Sequence, residues 1–199
     1  IPNTKFADNA MDEKTTRLIA QMHKAITIIQ FKLEGEIIRR RPEFEMDDRM
    51  LLHHIDLKRG VVHIDGKDYT LKDTNWPTLD PKDPYRLSIE EEDLIRKILH
   101  SFESSEKMKK HMRCFFRHGG MYQVCNSNLL FHASIPMNPD GTFKSVRILG
   151  QDYKGRALLD RVDQLIRTAY FKTGEQEEVE YAHDYIWYLW GGKDSPLFD

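Results

Sequence analysis

The run Asn128-Leu129-Leu130-Phe131-His132-Ala133 sets an imidazole where an apolar segment meets a loop. A strand end holds its side chain rigidly, and an imidazole is a good ligand for a catalytic metal ion, so His132 suits a hydrolytic metal site. One histidine cannot build such a site, and no second ligand set accompanies it by spacing. His53 and His54 are neighbours, which on a helix point about 100° apart, and nothing at i+3 or i+4 completes an H-x-x-x-H face. That pair reads as surface or packing, as do His63, His100 and His183. A second constellation is the basic cluster Lys107, Lys109, Lys110, His111, Arg113, Arg117 and His118. Charge runs usually form a solvated face. The functional alternative is a wall that attracts phosphate, with Arg113 or Arg117 making bidentate contacts. Nucleic acid is the weakest option, since only this helix is basic and the chain carries a net charge of -2.

The elements that must position these groups follow from periodicity. Leu18, Met22, Ile26, Ile29, Leu33 and Ile37 form one apolar stripe, which predicts a helix from about Asp12 to Arg40 that Pro42 stops. Gly35 costs up to about 1 kcal/mol relative to Ala there, so it marks a close contact. Met50, Leu51, Leu52 and Ile55 suggest a short helical piece within 47–57. Residues 60–72 alternate around Asp65-Gly66 as a β-hairpin. A loop over 73–87 carries Pro77, Pro81 and Pro84. Ser88 and Glu91 form a capping box, and Leu94, Ile95, Ile98, Leu99 and Phe102 continue as the apolar face of a helix. A further helix covers 104–117, with Met108, Met112, Phe115 and Phe116 turned inward. Past Gly119-Gly120, residues 121–125 and 129–132 read as short strands, the second buried, and Thr142–Leu149 as a third. Two helices close the chain, using Leu158, Leu159, Val162, Leu165, Ile166 and Ala169, then Val179, Ala182, Ile186 and Leu189. The fold class is α+β, mostly helical.

At 199 residues the chain can bury a real core. With 30 Lys and Arg against 32 Asp and Glu, it has no field for nucleic acid or an anionic membrane. Cys114 and Cys125 lack C-x-x-C spacing, which argues against a zinc knuckle, a redox dithiol or a disulfide framework and points to a reducing cytoplasm. No stretch is apolar enough to span a bilayer, and Ile1-Pro2-Asn3-Thr4 has neither a basic nor an apolar leader region. A chain that opens without Met and stops at Leu197-Phe198-Asp199 is expected to be a segment of something longer.

The order strand, Asn-Leu-Leu-Phe-His, small residue, Ile-Pro resembles the strand-and-His-Gly element of calcineurin-like metallophosphoesterases. The segments Ile28-Ile29-Gln30-Phe31-Lys32-Leu33-Glu34-Gly35, Asp80-Pro81-Lys82-Asp83-Pro84-Tyr85, Asn126–His132, Tyr153-Lys154-Gly155 and Asp194-Ser195-Pro196-Leu197-Phe198 resemble class III fructose-1,6-bisphosphatase of Firmicutes and related bacteria. The likeness runs along nearly the whole chain. It implies hydrolysis of the 1-phosphate of fructose 1,6-bisphosphate to fructose 6-phosphate in gluconeogenesis, with a sugar phosphate as substrate. It also implies a two-metal manganese site in which His132 holds one ion. The family's Gly-Asp-x-His, Gly-Asp-x-x-Asp-Arg and Gly-Asn-His motifs are absent here, so the other ligands are expected in the remainder of a longer parent polypeptide, and no catalytic residue is assigned. Ala133 stands where the element usually has Gly. By the resemblance, residues 1–118 are a helical cap or insertion with the hairpin, and 119–199 are part of the phosphoesterase β core plus C-terminal helices. The alternatives are a structural module, including a homo-oligomer surface, or a module that binds an anionic effector.

Overall fold

The computed structural model describes residues 12–198, so the reading of Ile1-Pro2-Asn3-Thr4 and that of Asp199 lie outside the described residues. Five α-helices and seven short strands are present among them, an α+β, mostly helical chain. It divides into two compact units, one ending at Leu99 and the other starting at His100. No described helix is long and apolar enough to cross a membrane.

In the first unit, α1 spans Glu13–Arg40. Asp12 caps it, its carboxylate accepting from the Thr15 amide at 2.9 Å, and the hydrogen bond from the Thr15 hydroxyl, with that amide second, holds the Asp12 pKa below the ordinary carboxylate value. The last turn carries Arg39 and Arg40 against the helix dipole, and Pro42 follows the C-cap. The buried face differs from the expected stripe. Leu18, Met22 and Ile26 are exposed, while Ile28, Ile29, Lys32, Gly35 and Ile38 are buried. Steps of three and four through 28, 32, 35 and 38 make a proper helical face, but two of its members are a lysine and a glycine that a count of apolar residues passes over.

Those two residues set the local packing. Lys32 has no exposure, and its ammonium donates to the Glu91 carboxylate at 2.7 Å and to the Thr78 carbonyl at 2.6 Å. Glu91 also completes the capping box that opens α2 (Ile89–Ser104): it accepts from the Ser88 amide at 2.8 Å, while its own amide donates to the Ser88 hydroxyl at 3.3 Å. Burial alone would raise the Glu91 pKa, but the hydrogen bonds from Lys32, Thr78 and Ser88 outweigh it and leave the pKa lowered. A depressed folded-state value means this stabilisation is complete above the ordinary carboxylate range and is lost as pH falls through the folded pKa. Gly35 lets the Tyr85 ring lie on α1, where an added Cβ would sit 1.9 Å from the Tyr85 Cδ1. The ring also meets the His53 imidazole edge-on at 4.8 Å and carries the Arg39 guanidinium over its face at 4.7 Å.

After a first 3-10 turn at Pro42–Phe44, two more, Asp47–Arg49 and Leu51–His54, replace the single helical piece expected within 47–57. They lead into an antiparallel meander of β1 (Ile55–Asp56), β2 (Val61–Ile64) and β3 (Lys67–Thr70). Asp65 and Gly66, with φ of 50° and 74°, make the two-residue turn expected from their types. Tyr69 is exposed, as is the whole of β3. The apolar face expected on α2 is also open, with Leu94, Leu99 and Phe102 exposed, so Glu91 rather than a leucine anchors this helix.

In the second unit the core lies between α4 (Arg156–Phe171), α5 (Gln176–Tyr188) and one strand. Leu158, Leu159, Val162, Leu165 and Ala169 face Val179, Ala182 and Leu189 as periodicity requires, while Ile186 is half-buried and the buried rings of Tyr181, Tyr185 and Tyr188, which the expected face did not include, complete it, Tyr181 stacking on Tyr185. The expected strand Thr142–Leu149 contracts to β6 (Val146–Ile148), paired with β7 (Gln151–Tyr153) through a turn at Leu149-Gly150. Gln-Asp-Tyr has no alternating apolar pattern, which is why β7 could not be read from the sequence. Val146 and Ile148 point into the core and Arg147 out of it.

Replacing Gly35 with Ala separates packing from helix propensity. Propensity alone favours Ala by about 1 kcal/mol, whereas overpacking against a buried ring costs about 1–3 kcal/mol. A net loss of stability in urea unfolding is expected, and a gain would show that Tyr85 does not hold this position.

Candidate functional site

His132 follows a two-stranded hairpin of β4 (Tyr122–Cys125) and β5 (Asn128–Phe131). Asn126 and Ser127 turn it with φ of 49° and 62°, and the register pairs Tyr122 with Phe131. The strand before His132 is exposed rather than buried: Leu129, Leu130 and Phe131 are 46%, 54% and 42% accessible. A sheet of two strands has no neighbour to cover its second face, so an apolar run here does not mean burial. His132 itself is exposed, and the chain becomes half-buried from Ala133 to Pro136.

The hairpin opens onto a cavity of about 710 Å³, whose polar lining includes His118, His132, Asp163 and Arg167 and whose apolar walls include Phe116, Phe131 and Leu197. The helix α3 (Glu106–His118) forms one side. Ser105 caps its start, accepting from the Met108 amide at 3.3 Å. Its other end is held by Arg167 of α4, which donates to the Phe116 carbonyl at 2.7 Å and the Gly119 carbonyl at 3.1 Å and pairs with Asp163 at 2.6 Å. A cation on the last carbonyls of a helix satisfies acceptors that the helix leaves open and opposes its dipole. Phe116 packs against Tyr170 and Phe171 at ring distances of 4.7 and 5.3 Å. Met108 and Phe115, expected to point inward, are exposed, and Met112 is half-buried. The packed side of α3 is that of Phe116, whereas the sequence pattern had suggested a wider one.

Arg113 and Arg117 lie on the exposed side of α3 and do not line the cavity. The guanidinium that does is Arg167, which sequence reasoning missed. Its signal was the Asp163–Arg167 spacing of four on a helix, a pattern for paired charges. Because Arg167 is engaged by a carboxylate and two carbonyls, its task is to hold α3. Among the described residues no group of three or more His, Cys, Asp or Glu side chains converges as a metal site. The donors fit part of such a site: His132 offers an accessible ring at the cavity wall, while Asp163 is already paired. Cys114 and Cys125 are free and exposed.

The chain belongs to the Firmicute fructose-1,6-bisphosphatase family, whose model matches residues 2–199. It is similar to proteins named class 3 fructose-1,6-bisphosphatase. That of Parabacteroides distasonis is 99% identical over 199 residues, covering 100% of this chain and 30% of the relative. That of Bacteroides fragilis is 64% identical over 198 residues, with coverage of 100% and 30%. That of Clostridioides difficile is 50% identical over 194 residues, with coverage of 98% and 29%. The chain thus spans about 30% of the length of these curated relatives. No solved structure matches it.

Arg167→Met keeps the stem and removes three charged hydrogen bonds. Hydrogen bonds to charged groups contribute about 1.5–3 kcal/mol each at most. Amide exchange in the last turn of α3 is therefore expected to accelerate well beyond that in α5. Equal protection in both helices would show that Arg167 does not hold α3.

Proposed function

We propose that this chain is the part of a manganese-dependent fructose-1,6-bisphosphatase that supplies one metal ligand and a helical region, and that it hydrolyses nothing on its own. The observation that carries this reading is the family match over residues 2–199 by a chain with about 30% of its relatives' length. Residues 1–118 act as a cap or insertion, and 119–199 contribute to a metallophosphoesterase core. The protein works in the cytoplasm on a sugar phosphate.

His132 holds one ion through a ring nitrogen. Divalent ions bound there would supply the Lewis acidity that activates water and offsets phosphoryl charge. Phe116, Phe131 and Leu197 line the cavity beside His132 with apolar side chains. Arg113 and Arg117, on the open side of α3, attract the substrate's phosphates without being tied into the fold as Arg167 is. The methyl of Ala133 is small enough to leave the backbone beside His132 approachable.

Full-length protein with manganese is expected to release phosphate from fructose 1,6-bisphosphate, and residues 1–199 alone to give no turnover. His132→Ala in the full-length protein should lower kcat/KM by at least about 100-fold, because even the loss of a group behind a ligand costs 10–100-fold. Undiminished activity in that variant, or turnover by residues 1–199 alone, would overturn the reading.

A further inference from the structure

An exposed hairpin end is a poor place for a metal ligand unless something restrains it, since ligands must be held within about 0.5 Å and 10–20° of their working geometry. On the upstream side the restraint is the strand register that pairs Phe131 with Tyr122. Downstream, the chain is gripped by the segment that follows α5. The Pro196 carbonyl accepts from the Ser134 amide at 3.3 Å, two residues beyond His132. Lys144 makes the second grip: its amide donates to the Pro136 carbonyl at 3.0 Å, and its ammonium pairs with Asp194 at 2.6 Å. The Asp194 carboxylate is 15% exposed, so this pair is partly withdrawn from water.

The gripping segment is itself anchored. Ser195 is 2% exposed, and its hydroxyl donates to the Leu189 carbonyl at 2.8 Å while accepting from the Leu197 amide at 3.1 Å. The Asp194 amide donates to the Tyr188 hydroxyl at 3.3 Å, and Gly192 lies so close to the Tyr188 ring that an added Cβ would fall 2.2 Å from it. Leu197, at the end of this turn, lines the same cavity as His132.

We propose that the Asp194–Phe198 turn and Lys144 form a clamp that positions His132, transferring the rigidity of the α4–α5 core to a ligand on an otherwise open hairpin. Lys144, Asp194 and Ser195 are positioning residues, and none of them touches the reacting atoms. The inference rests on the reading of His132 as a metal ligand, and its test separates the two.

Metal-free full-length protein is titrated with manganese alone, and free manganese is read by electron paramagnetic resonance. His132→Ala is expected to lose one tight site. Lys144→Met and Ser195→Ala are expected to weaken that site by about 10-fold, the lower end of the effect of groups that orient ligands, and Lys144→Arg to restore most of the affinity. If His132→Ala loses the site while Lys144→Met and Ser195→Ala bind as the parent does, the clamp is wrong and the metal reading stands. If Lys144→Arg is as weak as Lys144→Met, the ion pair is not what positions the ligand. Manganese binding unchanged in His132→Ala would sink the metal reading and the clamp with it. Lys144 is 39% exposed, so its variants keep the test open should Ser195→Ala fail to fold.

Discussion

The first unit depends on one buried ion pair. Placing Lys32 and Glu91 out of water costs several kcal/mol per ion, and only close geometry with further hydrogen bonds can offset that. Here the ammonium reaches a carboxylate and a carbonyl, and the carboxylate also receives the Ser88 amide. The pair therefore joins three pieces of chain: the middle of α1, the loop at Thr78 and the first turn of α2. Breaking it from one side would leave a charge buried without a partner, a change that costs about 3–5 kcal/mol. The same device recurs inside the second unit in a more exposed form, where Arg167 fastens the last carbonyls of α3 to α4. In both places a cation secures a helix end.

This use of charge explains what the sequence did and did not disclose. The limits of α1, the capping box at Ser88 and Glu91, the Asp65-Gly66 turn and the inward faces of α4 and α5 were legible because each rests on local chemistry or on a clean period. The buried face of α1 was not, because it runs through Lys32 and Gly35 and is set by distant Glu91 and Tyr85. Periodicity reports which residues could be buried together. It cannot report whether anything covers them, and so Leu94, Leu99 and Phe102 of α2, Met108 and Phe115 of α3 and Leu129, Leu130 and Phe131 of β5 read as core although they are exposed. β7 was hidden because hairpin pairing, with no apolar alternation, defines it.

The candidate site has the same mixture. His132 was singled out from its place after an apolar run, and the structure puts its ring at the wall of a cavity. Arg167 and Asp163 were not singled out, since their importance comes from the α3 carbonyls they reach. The Asp194–Phe198 segment carried resemblance but no role until its contacts with Ser134 and Lys144 were seen. In the proposed function the other ligands of the ion at His132 come from outside a chain that spans about 30% of its relatives' length.

The most direct test of that view is anomalous diffraction at the manganese edge from crystals of the full-length protein grown with manganese. A peak within coordination distance of a His132 ring nitrogen, with the remaining ligands drawn from outside residues 1–199, is the predicted result. Manganese bound elsewhere, with the His132 ring unliganded, would contradict it.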